Sequence, residues 1–340
     1  LETHLVFPRE PDSRPFVRDV SAALHVVASP AGVRDPGFAL GLGKLLRSLR
    51  PTHLHAHFGL DAYEALVVAA VLRVPRRFAS KHIVPSSSRA SALRHRGLAA
   101  LVEAIFAVSA DVGRRLAALG VPARKLNVVP LGVDAAAYEA EAHAREAVRA
   151  ELGIGPDVRL LLSTSHLRPG KGVELLPHVT AALAVDPGGV CLLLAGDGPL
   201  RGEVEAEARR LGLGREQIRF LGVREDVPQL LAAADLFLFP TVGTEGYPLG
   251  PLEALASGLP AVASAIGDLA TSLADVAELV PPGDVAAIVA ACRRLLADPV
   301  RAAELATAGR RLVADRFSVS RAAAEHAAVY GAARGEARPA

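Results

Sequence analysis

Asp235-Leu-Phe-Leu-Phe-Pro-Thr-Val-Gly-Thr-Glu-Gly-Tyr-Pro-Leu-Gly-Pro-Leu-Glu-Ala-Leu-Ala-Ser-Gly-Leu-Pro260 begins with a short apolar run that stops at Pro240. Such a run reads as a buried strand feeding a loop, and Glu245 falls on that loop. Pro251 stands where a first helical turn tolerates it, Leu252 to Ser257 are mostly good helix formers, and Gly258 can take the left-handed stop. Glu253 is therefore expected in the first turn of a helix. Backbone N–H groups of the turn, with the positive end of the helix behind them, favour an anionic or hydroxyl-rich ligand near Gly246 to Pro251. A carboxylate has two acceptor oxygens, enough for both hydroxyls of a diol, and two carboxylates eight residues apart can hold a ligand at both ends. The plainer alternative for Glu253 is a charge favoured by the helix dipole.

Strand and helix signals alternate through both halves of the chain, the pattern of parallel sheets covered by helices. In the first half the strands are expected at Thr3 to Phe7, Leu24 to Ala28, His53 to His57, Arg77 to Ser80, Ala104 to Val108 and Leu126 to Pro130. In the second they are expected at Val158 to Ser163, Val190 to Ala195, Gln217 to Leu221, Asp235 to Phe239, Pro260 to Ser264 and Val276 to Val280. Two doubly wound α/β domains follow, over residues 1–135 and 136–315, with a ligand cleft between them facing the strand carboxyl ends. Ser318 offers a helix cap, and residues 322–333 continue helically.

The Glu245-to-Glu253 segment resembles the E-x7-E element of retaining GT-B glycosyltransferases, most closely those of glycosyltransferase family 4. Six other segments carry the same resemblance. His166-Leu-Arg-Pro-Gly-Lys-Gly172 is similar to the family's Gly-Arg-Leu segment ending in Lys-Gly, with His166 where arginine is usual. Gly196-Asp-Gly-Pro199 matches a family turn ahead of an expected Pro-started helix, read as structural because the glycine spacing is wrong for a dinucleotide fingerprint. Phe220 to Pro228 resembles the loop whose backbone meets the nucleobase, which assigns Leu221 and Gly222 to the donor. His82, in Phe78-Ala-Ser-Lys-His-Ile-Val-Pro85, sits just after a strand where the family has a Thr-x-His segment. The match to Val-Ser at Val108 and to the linker ending Gly-Val-Asp134 completes the set, with Ser109 read as a helix N-cap.

The resemblance implies a sugar transferase acting on a nucleotide diphosphate sugar, UDP- or GDP-linked, with a hydroxyl acceptor and retention of configuration. His82 would orient the reacting centre. Lys171, at an expected helix start, with Arg168 or His166, would stabilise the leaving phosphates; Glu245 would hold the donor sugar and Glu253 the ribose. Gly246, Tyr247, Pro248 and Leu249 would line the donor site, although Pro248 lacks the N–H that the family's glycine supplies. His57 falls on the acceptor side. The usual glutamate after Ser264 is absent from Ile266 to Ser272. No cofactor or essential metal is implied, and the chain contains no Asp-x-Asp. Residues 316–340 would form the family's last helix, crossing back to the first domain. The chain opens on what resembles a second strand, so a missing first strand and Gly-rich loop are also expected. Two rival readings are a sugar-nucleotide epimerase on the same scaffold and a non-catalytic sugar-nucleotide or partner-binding module.

His53, His55 and His57 alternate along a strand and so share a face; zinc is the alternative reading. With 340 residues the chain has room for two cores, and no stretch approaches the roughly 20 apolar residues of a membrane span. Cys191 and Cys292 lack metal or redox spacing and read as buried thiols. Residues 1–150 hold 20 basic and 13 acidic side chains, residues 151–340 hold 18 and 23, so the halves differ in sign. Arg73, Arg76, Arg77, Lys81, Arg89, Arg94 and Arg96 gather in the first half. They suit anionic head groups or a phosphate-bearing acceptor, against the alternative of an ordinary solvated face. A cytoplasmic location is expected, with peripheral contact at the inner membrane face through the first domain and no nucleic-acid partner.

Overall fold

A computed structural model describes residues 3–7, 23–27, 36–57, 60–140 and 144–332. The chain divides into two compact units, Leu1–Val129 with Val329–Ala340, and Pro130–Ala328. In unit 1, β1 (His4–Phe7) pairs in parallel with β2 (Ala23–Val26). A four-stranded parallel sheet runs in the order β3 (His53–His57), β4 (Arg76–Lys81), β5 (Ala104–Ala107) and β6 (Leu126–Val128). Helices α1 (Pro36–Leu49), α2 (Leu60–Val71), α3 (Arg89–Leu101) and α4 (Ala110–Ala118) intervene. Ser88 and Ser109 cap α3 and α4 by accepting from Ser91 N and Val112 N. These bonds satisfy N–H groups that a helix leaves open.

One face of this sheet packs Phe78 and Phe106 with Val329 and Tyr330. Phe38, Leu42 and Leu46 of α1 bury against Ala69 of α2 and Val74. Each large side chain so buried contributes about 1.5–3 kcal/mol over leaving it in water.

Unit 2 contains a six-stranded parallel sheet: β7 (Arg159–Thr164), β8 (Val190–Ala195), β9 (Ile218–Gly222), β10 (Leu236–Phe239), β11 (Ala261–Ser264) and β12 (Glu278–Val280). Its spatial order, β12-β11-β10-β7-β8-β9, reverses direction between β7 and β10. Ligands of open α/β sheets bind outside the carboxyl ends of the strands at such a reversal. Helices α5 (Ala135–Ala140), α6 (Arg145–Glu151), α7 (Leu176–Leu183), α8 (Arg201–Arg210), α9 (Val227–Ala233), α10 (Leu249–Ser257), α11 (Leu269–Ser272), α12 (Val285–Ala297), α13 (Pro299–Arg316) and α14 (Val319–Ala332) accompany it. Leu160 to Leu162 and Leu192 to Leu194 are fully buried, as expected of strands covered on both faces. Asp235 ties the centre together: it accepts from Leu160 N at 2.7 Å and from Arg145 at 2.5 Å, with the buried Arg149 at 3.5 Å.

Three boundaries differ from the sequence reading. No α-helix begins at Lys171: a 3-10 turn covers Val173–Leu175 and α7 starts at Leu176, because Gly172 takes a left-handed φ of 69°. Helix α8 starts at Arg201, two residues after Pro199. Helix α10 starts at Leu249 with Pro248 as its N-cap, so Glu253 lies in the second turn, not the first. Pro251 is tolerated as the third residue, before the helix needs its N–H.

A Cβ at Gly172 would lie 1.9 Å from the Pro240 carbonyl oxygen, whereas one at Gly202 in α8 would meet open space. Urea denaturation is expected to show Gly172→Ala losing more than about 2 kcal/mol, and Gly202→Ala unchanged or stabilised by up to about 1 kcal/mol. Equal effects would contradict this account of the loop.

Candidate functional site

In unit 2 the loops that follow β7 and β10 meet. The Gly170 carbonyl accepts from both Val242 N at 3.0 Å and Gly243 N at 2.8 Å. This double bond brings Lys171 Nζ to 2.7 Å from Glu245 Oε1, with Arg168 at 4.0 Å from the same oxygen. The Lys171 and Glu245 side chains are each 15% exposed, while Arg168 remains open to solvent at 46%. Two cations and one carboxylate thus form a cluster with net positive charge. Such a cluster can neutralise phosphate oxygens while its carboxylate fixes the lysine or a ligand hydroxyl.

Beside it, a cavity of about 400 Å³ is walled by Ser165 and His166 after β7, Ala195 to Gly198 after β8, and Val223, Arg224 and Val227 after β9. This lies within the usual range for small-molecule sites, about 300–1,000 Å³. Backbone packing forms the walls: Leu167 N donates to Asp197 O, and Leu200 N to Leu167 O, both at 2.9 Å. Only glycine fits there, because Cβ atoms at positions 196 and 198 would lie 1.8 and 2.5 Å from the Ser165 and Leu167 carbonyl oxygens. The turn read as structural therefore also walls the cavity. Leu221 and Gly222 are not among its walls. Gly222, at φ 68°, turns the chain after β9 and accepts from Gly196 N, so the next residues reach the cavity instead. Arg224 is held by Asp226 at 2.7 and 2.5 Å, and this pairing keeps the Asp226 carboxyl below its ordinary pKa.

Glu253 does not wall this cavity either. Burial raises its pKa, and a hydrogen bond from Tyr138 of α5 offsets part of the rise. Tyr247 turns its ring inward against Phe317, with centroids 5.2 Å apart, and burial pushes its hydroxyl up to about 12. Gly246 and Tyr247 can then offer a ligand backbone N–H groups, Pro248 cannot, and Leu249 opens α10.

Unit 1 collects the histidines. His55 Nε2 lies 2.8 Å from Ser80 Oγ, and its Nδ1 contacts the Tyr330 hydroxyl. The His55 and His57 rings stack at 4.3 Å, as residues on one strand face should. His57 Nδ1 lies 3.2 Å from His82 Nε2. Among the described residues no group of three or more His, Cys, Asp or Glu has the geometry to hold a metal ion. Phe58 and Gly59, which complete the histidine motif, lie outside the described residues. Cys191 and Cys292 are buried free thiols.

Three of the seven basic residues gathered in the first half are engaged within the unit. Arg76 pairs with Glu103 at 2.9 Å, Arg77 donates to the Leu101 and Val74 carbonyls, and Arg96 donates to Leu119 O. Arg77 and Arg96 are structural, because a guanidinium at a helix end satisfies open carbonyls, and Arg76 is taken up by its ion pair. No described helix is long and apolar enough to cross a membrane.

Residues 1–137 match the family described as Glycosyltransferase Family 4, and residues 158–298 that described as Glycosyl transferases group 1. The lipopolysaccharide core biosynthesis mannosyltransferase LpsB of Rhizobium meliloti is 30% identical over 81% of this chain and 78% of its own length. The chain belongs to glycosyltransferase family 4. It is also 31% identical to a 2-deoxystreptamine glucosyltransferase of Streptomyces kanamyceticus over 65% of its length, but spans only 58% of that relative. The structure of Anabaena HepE in complex with UDP and glucose superposes with a TM-score of 0.83, covering 97% of this chain and 91% of that one at 21% identity. The fold is GT-B, built from two Rossmann-like α/β domains.

Because burial raises the Glu253 pKa, its ionisation opposes folding. The cost is absent below the ordinary carboxylate range and grows as pH rises through that range and the raised folded value. Glu253→Gln is therefore expected to raise Tm at pH 7.5 and to leave it nearly unchanged at pH 4. A Tm difference independent of pH would contradict burial as the cause.

Proposed function

We propose that this protein is a retaining glycosyltransferase that moves a sugar from a UDP- or GDP-linked donor to an acceptor hydroxyl, in synthesis of a polysaccharide, glycolipid or other glycoconjugate. The observation that carries this reading is the Lys171–Glu245 contact at 2.7 Å, made by the two loops at the reversal of the unit 2 sheet. Lys171 and the exposed Arg168 supply fixed positive charge where a diphosphate leaving group gains negative charge. Glu245 accepts from hydroxyls of the transferred sugar, and the base occupies the cavity beside His166 and Arg224. Glu253 serves the ribose, its raised pKa being the kind of stability cost that functional carboxylates carry.

In the transfer step the acceptor oxygen bonds to the anomeric carbon on the face from which the phosphate leaves. The carbon–oxygen bond to the diphosphate breaks with its electron pair going to the phosphate oxygen, and that oxygen takes the acceptor proton. No protein nucleophile and no metal enters this scheme. His82, oriented through His57 at 3.2 Å, holds the reacting sugar. The site of action is cytoplasmic.

Calorimetric titration with UDP, GDP and ADP tests the donor site. One diphosphate is expected to bind preferentially. Lys171→Ala is expected to weaken it by about tenfold to a hundredfold, the range for a lost charge-assisted contact, and to leave binding of the matching nucleoside unchanged. Equal loss for nucleoside and diphosphate would remove Lys171 from the phosphate role.

A further inference from the structure

Of 38 basic side chains in the chain, four are lysines. Lys171 pairs with Glu245, and Lys125 donates to the Ala99 and Val102 carbonyls at 2.5 and 2.7 Å. Lys44 is exposed on α1. Lys81 differs from all three: it is half-buried at the carboxyl end of β4, and it makes no hydrogen bond or ion pair with a described residue. A cation withdrawn from water without a partner is costly, so such a group marks a place where an anion is missing.

Its neighbours sharpen the case. Ser80, on the opposite face of β4, turns to His55, whereas Arg77 reaches the end of α3; by strand alternation Lys81 also faces α3. There it meets the charge of Arg94, which likewise has no partner among the described residues, and the buried His95. Burial and Arg94 together lower the Lys81 pKa, and no carboxylate among the described residues counters them. The first turn of α3 contains no acidic residue, and Ser86, Ser87 and Ser88 lead into it. The Lys81 ammonium, within electrostatic reach of the Arg94 guanidinium, stands at the carboxyl edge of a parallel sheet, where α/β folds bind ligands. Two cations for one anion suit a phosphate, which offers more acceptor oxygens than a carboxylate.

We propose that Lys81 and Arg94 hold a phosphate group carried by the acceptor. The assignment to the acceptor rests on the glycosyltransferase reading; the anion site stands on unit 1 alone. His82 follows Lys81 at the same carboxyl edge of the sheet but turns to His57 on the opposite face, so the acceptor would span the strand end between the phosphate and the residue assigned to the reacting centre. The phosphate can belong to a soluble phosphorylated molecule or to a lipid head group, and the chemistry at Lys81 is the same.

Competitive amine labelling of the intact protein, read by mass spectrometry at low conversion, reports on all four lysines in one experiment. The additions are sodium phosphate, sodium chloride at matched ionic strength, phosphatidylglycerol vesicles, phosphatidylcholine vesicles, and UDP or GDP. Phosphate at twice its dissociation constant is expected to slow labelling of Lys81 about threefold relative to chloride, with Lys44 unaffected. Arg94→Gln, a change at an exposed position, is expected to abolish the protection, while an unchanged Lys125 rate shows that the variant is folded. Protection by phosphate but not by phosphatidylglycerol identifies a soluble acceptor, and protection by phosphatidylglycerol alone identifies a lipid one. Equal Lys81 rates in phosphate, chloride and both vesicle types would overturn the proposal, as would protection that survives Arg94→Gln. Shielding of Lys171 by UDP or GDP reports separately on the donor reading, so either idea can fail without the other.

Discussion

The Gly170 carbonyl, accepting from the backbone of both Val242 and Gly243, joins the loops that leave β7 and β10, and the chemistry proposed for unit 2 depends on that junction. Strand order reverses at this point, so helices diverge to opposite faces and a crevice is left between the two loops. Closing the crevice requires backbone to touch backbone, which explains why Gly172 stands against the Pro240 carbonyl at a left-handed φ. With the loops joined, Lys171 and Glu245 meet. The same principle builds the adjoining cavity, where Gly196 and Gly198 pack on the carbonyls of Ser165 and Leu167.

Charge placement in unit 1 separates structural from available cations. Arg76, Arg77, Arg96 and Lys125 are consumed by a carboxylate or by open carbonyls, and their net effect is on stability. Lys81 and Arg94 are not so consumed by any described residue. Arginine dominates the structural set because a planar fork satisfies two carbonyls at once, as Arg77 does with Leu101 and Val74. Counting basic residues in a stretch of sequence therefore overstates the charge open to a ligand.

Much of the fold was legible because strands covered on both faces read as apolar runs. The Leu192-Leu-Leu194 core of β8 and the Leu236 to Phe239 strand lie where their composition places them. Local end signals were legible too: Gly258 takes φ 75° to stop α10, and Ser318 caps α14 through Arg321 N. Helix starts were less so. Pro251 fits any of the first few helical positions, so it could not distinguish a start at Pro251 from one at Leu249, and Glu253 was placed a turn too early. The Lys171 environment was misread because a left-handed Gly172 inserts a 3-10 turn before α7.

The walls of the cavity were missed for a different reason: Val223, Arg224 and Val227 carry no motif of their own, and only the bulge that joins Ala195 to Gly222 aims them. The Arg224-x-Asp226 spacing was the available signal, since that pair fixes the loop beside the cavity. The most direct test of the account is a crystal structure of this protein with a bound nucleoside diphosphate. The account predicts the base between His166 and Arg224 in the cavity, and the terminal phosphate at Lys171 and Arg168. A nucleotide bound elsewhere, with the Lys171–Glu245 contact undisturbed and no phosphate oxygen near either cation, would contradict it.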